Sequence, residues 1–208
     1  MEYEKAIEYL KVIIKINPKN YCAYFNQGIT YRDLDKKEEA IESYKKAIEI
    51  NPKFDKAYCN MGNDYSILGK NKEAIELYKK AIEINPKYAK AYYNMGNVYK
   101  FLDRKEEAIV SYKKAIEINP EDAEIYCNMG NVYNSLGKNK EAIELYKKAI
   151  EINPKDGKVY CNQGIAYSNL GKNKEAIESY KKVLEVTKSN SPFNSDARRN
   201  INKLEGKL

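Results

Sequence analysis

The chain has 208 residues, of which 32% are charged and 43% hydrophobic, so it is long enough for one or two globular domains or for one array of repeats. It contains no histidine and its four cysteines stand singly, which argues against a zinc site and removes the commonest general acid and base. The net charge of +7 is too small to indicate nucleic acid by itself. We therefore expect no metal, no cofactor and no enzymatic activity.

The N-terminus carries charge from its second residue and has no apolar run ending in small residues, as a secretory signal would. No apolar stretch approaches the length of a membrane span. These features predict a cytoplasmic protein that does not associate with membranes.

A period of 34 residues runs through the sequence. Five Asn-Pro pairs recur at this interval, at Asn17-Pro18, Asn51-Pro52, Asn85-Pro86, Asn119-Pro120 and Asn153-Pro154. Glycines and alanines keep the same interval, at Gly28, Gly62, Gly96, Gly130 and Gly164 and at Ala40, Ala74, Ala108, Ala142 and Ala176. Such a period is typical of a repeat architecture, in which each unit buries its apolar face against its neighbours.

In chain order, the period predicts a lone helix in residues 1–20, which is the second helix of a preceding partial repeat, and then five complete repeats. The repeats span 21–54, 55–88, 89–122, 123–156 and 157–190. Each contains two segments with helical apolar spacing, separated by a polar break such as Gly69-Lys70-Asn71. The Asn before each Pro is disfavoured in the helical conformation, so each pair should end a second helix.

Residues 191–208 depart from the period and predict a capping helix that covers the fifth repeat. Phe193, Ala197, Ile201, Leu204 and Leu208 form one apolar stripe at helical spacing. We expect Ser195 or Asp196 to cap the start of this helix.

The repeats resemble those of the tetratricopeptide repeat (TPR) family. In the first repeat, the family's signature positions hold Tyr24, Gly28, Tyr31, Ala40, Tyr44, Ala47 and Pro52. The fifth repeat departs from the signature at Val183 and Lys188. The resemblance implies an all-α fold, a right-handed superhelix (TPR solenoid) of helical hairpins whose first helices line a concave groove. It also implies that the three tyrosine positions of each repeat are interior and that the chain binds another protein.

Asparagines form the clearest candidate site. The sixth position of every repeat is Asn, at Asn26, Asn60, Asn94, Asn128 and Asn162, and the ninth position is Asn at Asn63, Asn97 and Asn131. A helix has no need of Asn at these positions, and residues three apart share a face. The columns resemble the asparagine ladder in the superhelix of O-linked N-acetylglucosamine transferase, and their amides suit an extended peptide backbone. The alternative is that the asparagines serve contacts between repeats.

Five further residues complete the candidate peptide site. Tyr93 lies one residue past a core position, and Lys56, Lys90, Lys100 and Lys158 are expected to attract acidic side chains of the partner. A dicarboxylate clamp of the kind known in this family is not expected, because its fifth-position lysine is absent from every repeat.

We therefore predict a scaffold that binds an extended peptide or a partner helix. Two alternatives are a non-catalytic targeting region of a larger enzyme and an array that self-stacks through its uncapped N-terminal end. RNA binding is disfavoured, because the similar pentatricopeptide arrays have a longer period and the paired lysines fall on the solvated second helices.

Overall fold

A computed structural model describes residues 2–188 and 191–207. These residues form helices connected by short turns, with no strand among them, as the all-α expectation requires. The helices are α1 Glu2–Ile16, α2 Tyr21–Asp33, α3 Lys37–Ile50, α4 Asp55–Ile67, α5 Asn71–Ile84, α6 Ala89–Phe101, α7 Lys105–Ile118, α8 Ala123–Ser135, α9 Asn139–Ile152, α10 Gly157–Asn169, α11 Asn173–Val186 and α12 Pro192–Leu204.

The chain divides into two compact units, Met1–Leu102 and Asp103–Leu208. In the first unit α2 packs against α3 and α4 against α5, which are the expected hairpins, and α1 packs on α2. Helix α3 also contacts α4, and α5 contacts α6, so that successive hairpins stack. Helix α1 keeps much apolar surface in solvent, including the side chains of Tyr9, Val12 and Ile16.

The second unit repeats this arrangement. Helix α8 pairs with α9 and α10 with α11, while α7 packs on α8 and α9 on α10. Helix α12 lies against α11 and α10, where Phe193, Ala197, Ile201 and Leu204 cover the last hairpin. Leu208 lies outside the described residues.

The expected cap of α12 was wrong. The helix begins at Pro192, three residues before Ser195, and Ser191 occupies the N-cap position without a side-chain hydrogen bond. Proline is favoured in the first helical turn because its fixed φ suits the helix and its missing N–H would have no partner there. Ser195 therefore lies inside the helix and donates to the carbonyl oxygen of Pro192 at 2.8 Å.

A tyrosine ring packed on a glycine forms the core of the described hairpins. The tyrosine at the twenty-fourth position of each repeat is buried, at Tyr44, Tyr78, Tyr112, Tyr146 and Tyr180. A Cβ added at Gly28, Gly62, Gly130 or Gly164 would lie only 2.5–2.8 Å from the ring Cε1 of the paired tyrosine. Glycine is therefore required for this close approach. The expected burial at the other two tyrosine positions is incomplete, because most of those rings are half-buried.

The Asn-Pro pairs end the second helices as the sequence predicts. At Asn51, Asn85 and Asn153 the backbone leaves the helical conformation. The side-chain oxygen of each then accepts a hydrogen bond from the backbone N–H two residues later, at 3.1–3.3 Å. An asparagine at this place therefore both stops the helix and stabilises the turn that follows.

The paired lysines of the second helices form ion pairs along the helix surface. Lys79 contacts Glu76 at 2.8 Å and Lys80 contacts Glu83 at 2.6 Å, and Lys147 and Lys148 repeat the pattern. All of these side chains are roughly half exposed, so each pair contributes little to stability. In the described part of the chain, every helix is too short or too polar to cross a lipid bilayer.

Asp64 is a buried carboxylate at a position that is apolar in later repeats. Its side chain is fully buried, and neither oxygen has a hydrogen-bond partner among the described residues. The equivalent residues Val98, Val132 and Ala166 are also buried. Burial raises the pKa of Asp64 from 3.8 to about 6, although the positive charges of Arg32 and Lys37 oppose this rise.

We expect Asp64→Val to stabilise the protein at pH 7. Because the folded state holds its proton more tightly than the unfolded state, the stability of the parent falls as pH rises from about 4 to about 6, by about 2–3 kcal/mol. The gain from Asp64→Val should therefore be large at pH 7 and shrink at pH 4. Urea unfolding followed by circular dichroism at both pH values measures this. Exposed Asp33→Val is the control, and an equal gain at both pH values would contradict the assignment.

Candidate functional site

In the first unit, two predicted ladder residues and a core tyrosine form one hydrogen-bond network. The hydroxyl of Tyr78 on α5 donates to Oδ1 of Asn63 on α4 at 2.8 Å. Nδ2 of Asn94 on α6 donates to the same Oδ1 at 2.7 Å and approaches Cys59 Sγ at 3.8 Å. Asn63 therefore links the two helices of its own hairpin and also the first helix of the next repeat.

The second unit contains the same network at the equivalent positions two repeats later along the chain. Tyr146 donates its hydroxyl proton to Oδ1 of Asn131 at 2.8 Å. Nδ2 of Asn162 donates to that oxygen at 2.8 Å and lies 3.7 Å from Cys127 Sγ. A tyrosine hydroxyl is protonated at neutral pH, and burial raises the pKa of both Tyr78 and Tyr146 further, so both act as donors.

These networks fix the orientation of each amide and so determine which of its polar groups has no internal hydrogen-bond partner. The side-chain oxygen of Asn63 and of Asn131 accepts two bonds, whereas their Nδ2 groups have no partner among the described residues. Asn94 and Asn162 use Nδ2, and their Oδ1 atoms accept nothing from the described residues. Each amide pair therefore leaves two N–H donors on the ninth position and one acceptor on the sixth.

The first repeat lacks this network because Ile29 replaces the ninth-position asparagine. As a result, the buried hydroxyl of Tyr44 forms no hydrogen bond of ordinary geometry among the described residues, although the Asn60 amide lies close enough to oppose the rise that burial causes in its pKa. Asn60, which would meet that asparagine, is buried, while Asn26 is exposed. The ladder is therefore not uniform along the chain.

The remaining predicted site residues differ in exposure. Asn97, Tyr93 and Lys100 on α6 are half-buried, and Asn128 on α8 is buried. Lys56, Lys90 and Lys158 are exposed near the starts of α4, α6 and α10.

A cavity of about 300 Å³ in the first unit collects three predicted residues, Asn63, Asn94 and Asn97. Two other lining residues, Ile67 and Phe101, were not predicted as site residues. Both stand at the thirteenth position of their repeats, where the other repeats have Asp33, Ser135 and Asn169. This departure from polar residues is the sequence signal that could have identified them.

A cavity of about 520 Å³ in the second unit includes Lys158. Four carboxylates also line it, at Glu121, Asp122, Glu124 and Asp156. Asp122 and Asp156 also cap α8 and α10, by accepting from the backbone N–H of Glu124 and Lys158. The surroundings of Lys158 therefore carry more negative than positive charge.

Two further cavities recur at equivalent repeat positions, where a second helix meets the end of the first helix of the next repeat. The first, of about 530 Å³, is lined by residues that include Ile41, Tyr65 and Leu68, and the other, of about 380 Å³, by Ile143, Tyr167 and Leu170. Both have rims of glutamate and lysine.

The four cysteines, all of them within the described residues, form no disulfide bond. Cys59, Cys127 and Cys161 are buried and Cys22 is exposed. Burial raises the pKa of Cys59 and Cys161, which keeps these thiols protonated and unreactive. No group of metal-binding side chains that could hold an ion occurs within residues 2–188 and 191–207.

Family models match most of the chain. Models of the tetratricopeptide repeat match residues 21–54, 89–122 and 123–156 and, in a second version, 43–76 and 145–178. A model of the TPR repeat matches residues 62–102. A comparison with curated proteins found no match.

Solved structures of similar architecture include MamA, which is 33% identical, with 79% of this chain and 90% of that chain covered and a TM-score of 0.73. A structure of MamA from Desulfovibrio magneticus RS-1 is 22% identical, with 82% and 97% covered and a TM-score of 0.75. YrrB, described as a TPR protein with an unusual peptide-binding site, is 23% identical, with 93% and 99% covered and a TM-score of 0.74. The last two likenesses concern the fold alone.

Replacing the core tyrosines by phenylalanine should have opposite outcomes in different repeats. Tyr78→Phe and Tyr146→Phe each remove a hydrogen bond to an asparagine, and we expect each to cost about 1 kcal/mol. Tyr44→Phe removes a buried hydroxyl that forms no hydrogen bond of ordinary geometry and should be neutral or stabilising. Urea unfolding of the three variants measures this, and equal losses in all three would contradict the network.

Proposed function

The chain belongs to the tetratricopeptide repeat family and has the fold of a protein-interaction scaffold, and we propose that it binds an extended peptide of its partner along the first helices of its repeats. The proposed contact residues are Asn26, Asn60, Asn63, Asn94, Asn97, Asn128, Asn131, Asn162, Lys56, Lys90, Tyr93, Lys100 and Lys158. The partner segment is a peptide in extended conformation, because the polar groups proposed to meet it match a main chain.

This proposal rests on the hydrogen-bond donors and acceptors that the two amide networks leave unused. Asn63 and Asn131 keep two N–H donors each, and Asn94 and Asn162 keep an acceptor oxygen each. An extended main chain presents both C=O and N–H groups that need partners when water is displaced. A donor and an acceptor side by side can meet both without selecting a particular side chain.

The internal bonds also favour binding energetically. Amides that are held in one orientation lose little rotamer freedom when a peptide arrives, so less of the interaction energy is spent on ordering them. YrrB, which shares the fold, has a peptide-binding site, and this supports the same general use of the architecture here.

Charge would modulate the binding differently in the two units. Exposed Lys56 and Lys90 would attract acidic side chains of a peptide on the first unit. On the second unit, the carboxylates around Lys158 would oppose that attraction. We therefore propose the acidic preference for the first unit alone.

The substitutions Asn63→Asp and Asn131→Asp test this proposal while keeping the internal hydrogen bonds. Aspartate keeps the oxygens that accept from Tyr78 or Tyr146 and from the neighbouring amide, but it removes the N–H donors. A phage library of random twelve-residue peptides is selected on the full chain, and the enriched peptides are measured by fluorescence polarisation. We expect each variant to bind at least about tenfold more weakly, which corresponds to about 1.4 kcal/mol.

Asn173→Asp and Asn202→Asp make the same charge change at exposed asparagines outside the proposed contact set and should leave the affinity unchanged. Two results would contradict the proposal. One is a selection without enriched peptides, and the other is unchanged affinity in Asn63→Asp and Asn131→Asp.

A further inference from the structure

Two large apolar side chains are exposed beside the amide network of the first unit. Ile67 is 62% exposed and Phe101 is 77% exposed, and each is the last residue of its helix, α4 or α6. Neither side chain is buried in a core cluster. Exposed apolar groups that cluster on a surface commonly mark a place where another molecule binds.

These two side chains line the same cavity of about 300 Å³, together with Val98 and the network residues Asn63 and Asn94. Every described residue that lines this cavity is uncharged. The other three cavities described above all have charged side chains in their walls. This volume is at the lower end of the range for ligand pockets, which suits a side chain better than a whole small molecule.

We infer that this cavity is a specificity pocket for one uncharged apolar side chain of the bound peptide, such as Leu, Ile, Met or Phe. The inference rests on the proposed function, because the main chain beside that residue would bond to Asn63 and Asn94. Ile67, Val98 and Phe101 supply the apolar contacts. A charged side chain is disfavoured, since no lining residue carries an opposite charge to compensate the loss of its hydration.

The two exposed apolar residues of the pocket are not repeated in the second unit. At the equivalent thirteenth positions the second unit has Ser135 and Asn169, which offer no apolar surface. The two units share the amide network but differ in this pocket, so the amides account for backbone binding and the pocket for the choice of sequence.

The test uses a phage library of random twelve-residue peptides selected on the full chain, with affinities measured by fluorescence polarisation. We expect the enriched peptides to share one apolar residue, and its replacement by alanine to weaken binding to the parent about tenfold. The double variant Ile67→Ser and Phe101→Ser should bind the original peptide about tenfold more weakly, with no further loss for the alanine peptide. Val110→Ser, at an exposed valine of α7, is the control and should behave as the parent does.

The outcomes separate the two proposals. Enriched peptides that lose affinity for Asn63→Asp, but show no common apolar residue or bind the serine variant equally well, overturn the pocket and leave the peptide site standing. A selection without enriched peptides overturns both. Because Ile67 and Phe101 are exposed, the serine variant should fold as the parent does, which circular dichroism checks.

Discussion

The hydrogen bond from a buried tyrosine hydroxyl to an asparagine oxygen organises this protein, because it connects the interior of a hairpin to the next repeat. The ring of Tyr78 packs against Gly62 in the core, and its hydroxyl must find an acceptor where water cannot reach. Asn63 provides that acceptor and also receives Nδ2 of Asn94 from the following repeat. The interior of this hairpin, its contact with the next hairpin and the orientation of two half-buried amides therefore meet at one oxygen atom.

This arrangement joins two explanations of the asparagine columns that the sequence leaves as alternatives. An asparagine that serves contacts between repeats can still serve a partner, because an amide has both a donor group and an acceptor group. In each described pair, the group facing the neighbour is fixed by the internal bond and the other group remains. Loss of such an asparagine would therefore affect stability and binding together, and only substitutions that keep the internal bond can separate the two roles.

Much of the fold could be predicted from the sequence, because the 34-residue period places glycine and tyrosine where two helices must approach closely and Asn-Pro where the chain must turn. The network itself could not be predicted, since the partner of an amide depends on distances between residues 31 positions apart. Ile67 and Phe101 were missed because an apolar residue at the end of an amphipathic helix resembles core until its exposure is known. Asp64 was also missed, because a single aspartate looks like a surface residue until the repeat register aligns it with Val98, Val132 and Ala166 and the structure shows its burial.

If internal bonds orient the amides of the asparagine ladder, this orientation is present before any partner binds. Hydrogen exchange of the asparagine side-chain NH₂ groups, followed by NMR in the free protein, is the measurement that decides this. We expect slow exchange for Nδ2 of Asn94 and Asn162, which donate internally, and fast exchange for Nδ2 of Asn63 and Asn131, which do not. Indistinguishable exchange at all four groups, or the reverse order, would contradict it.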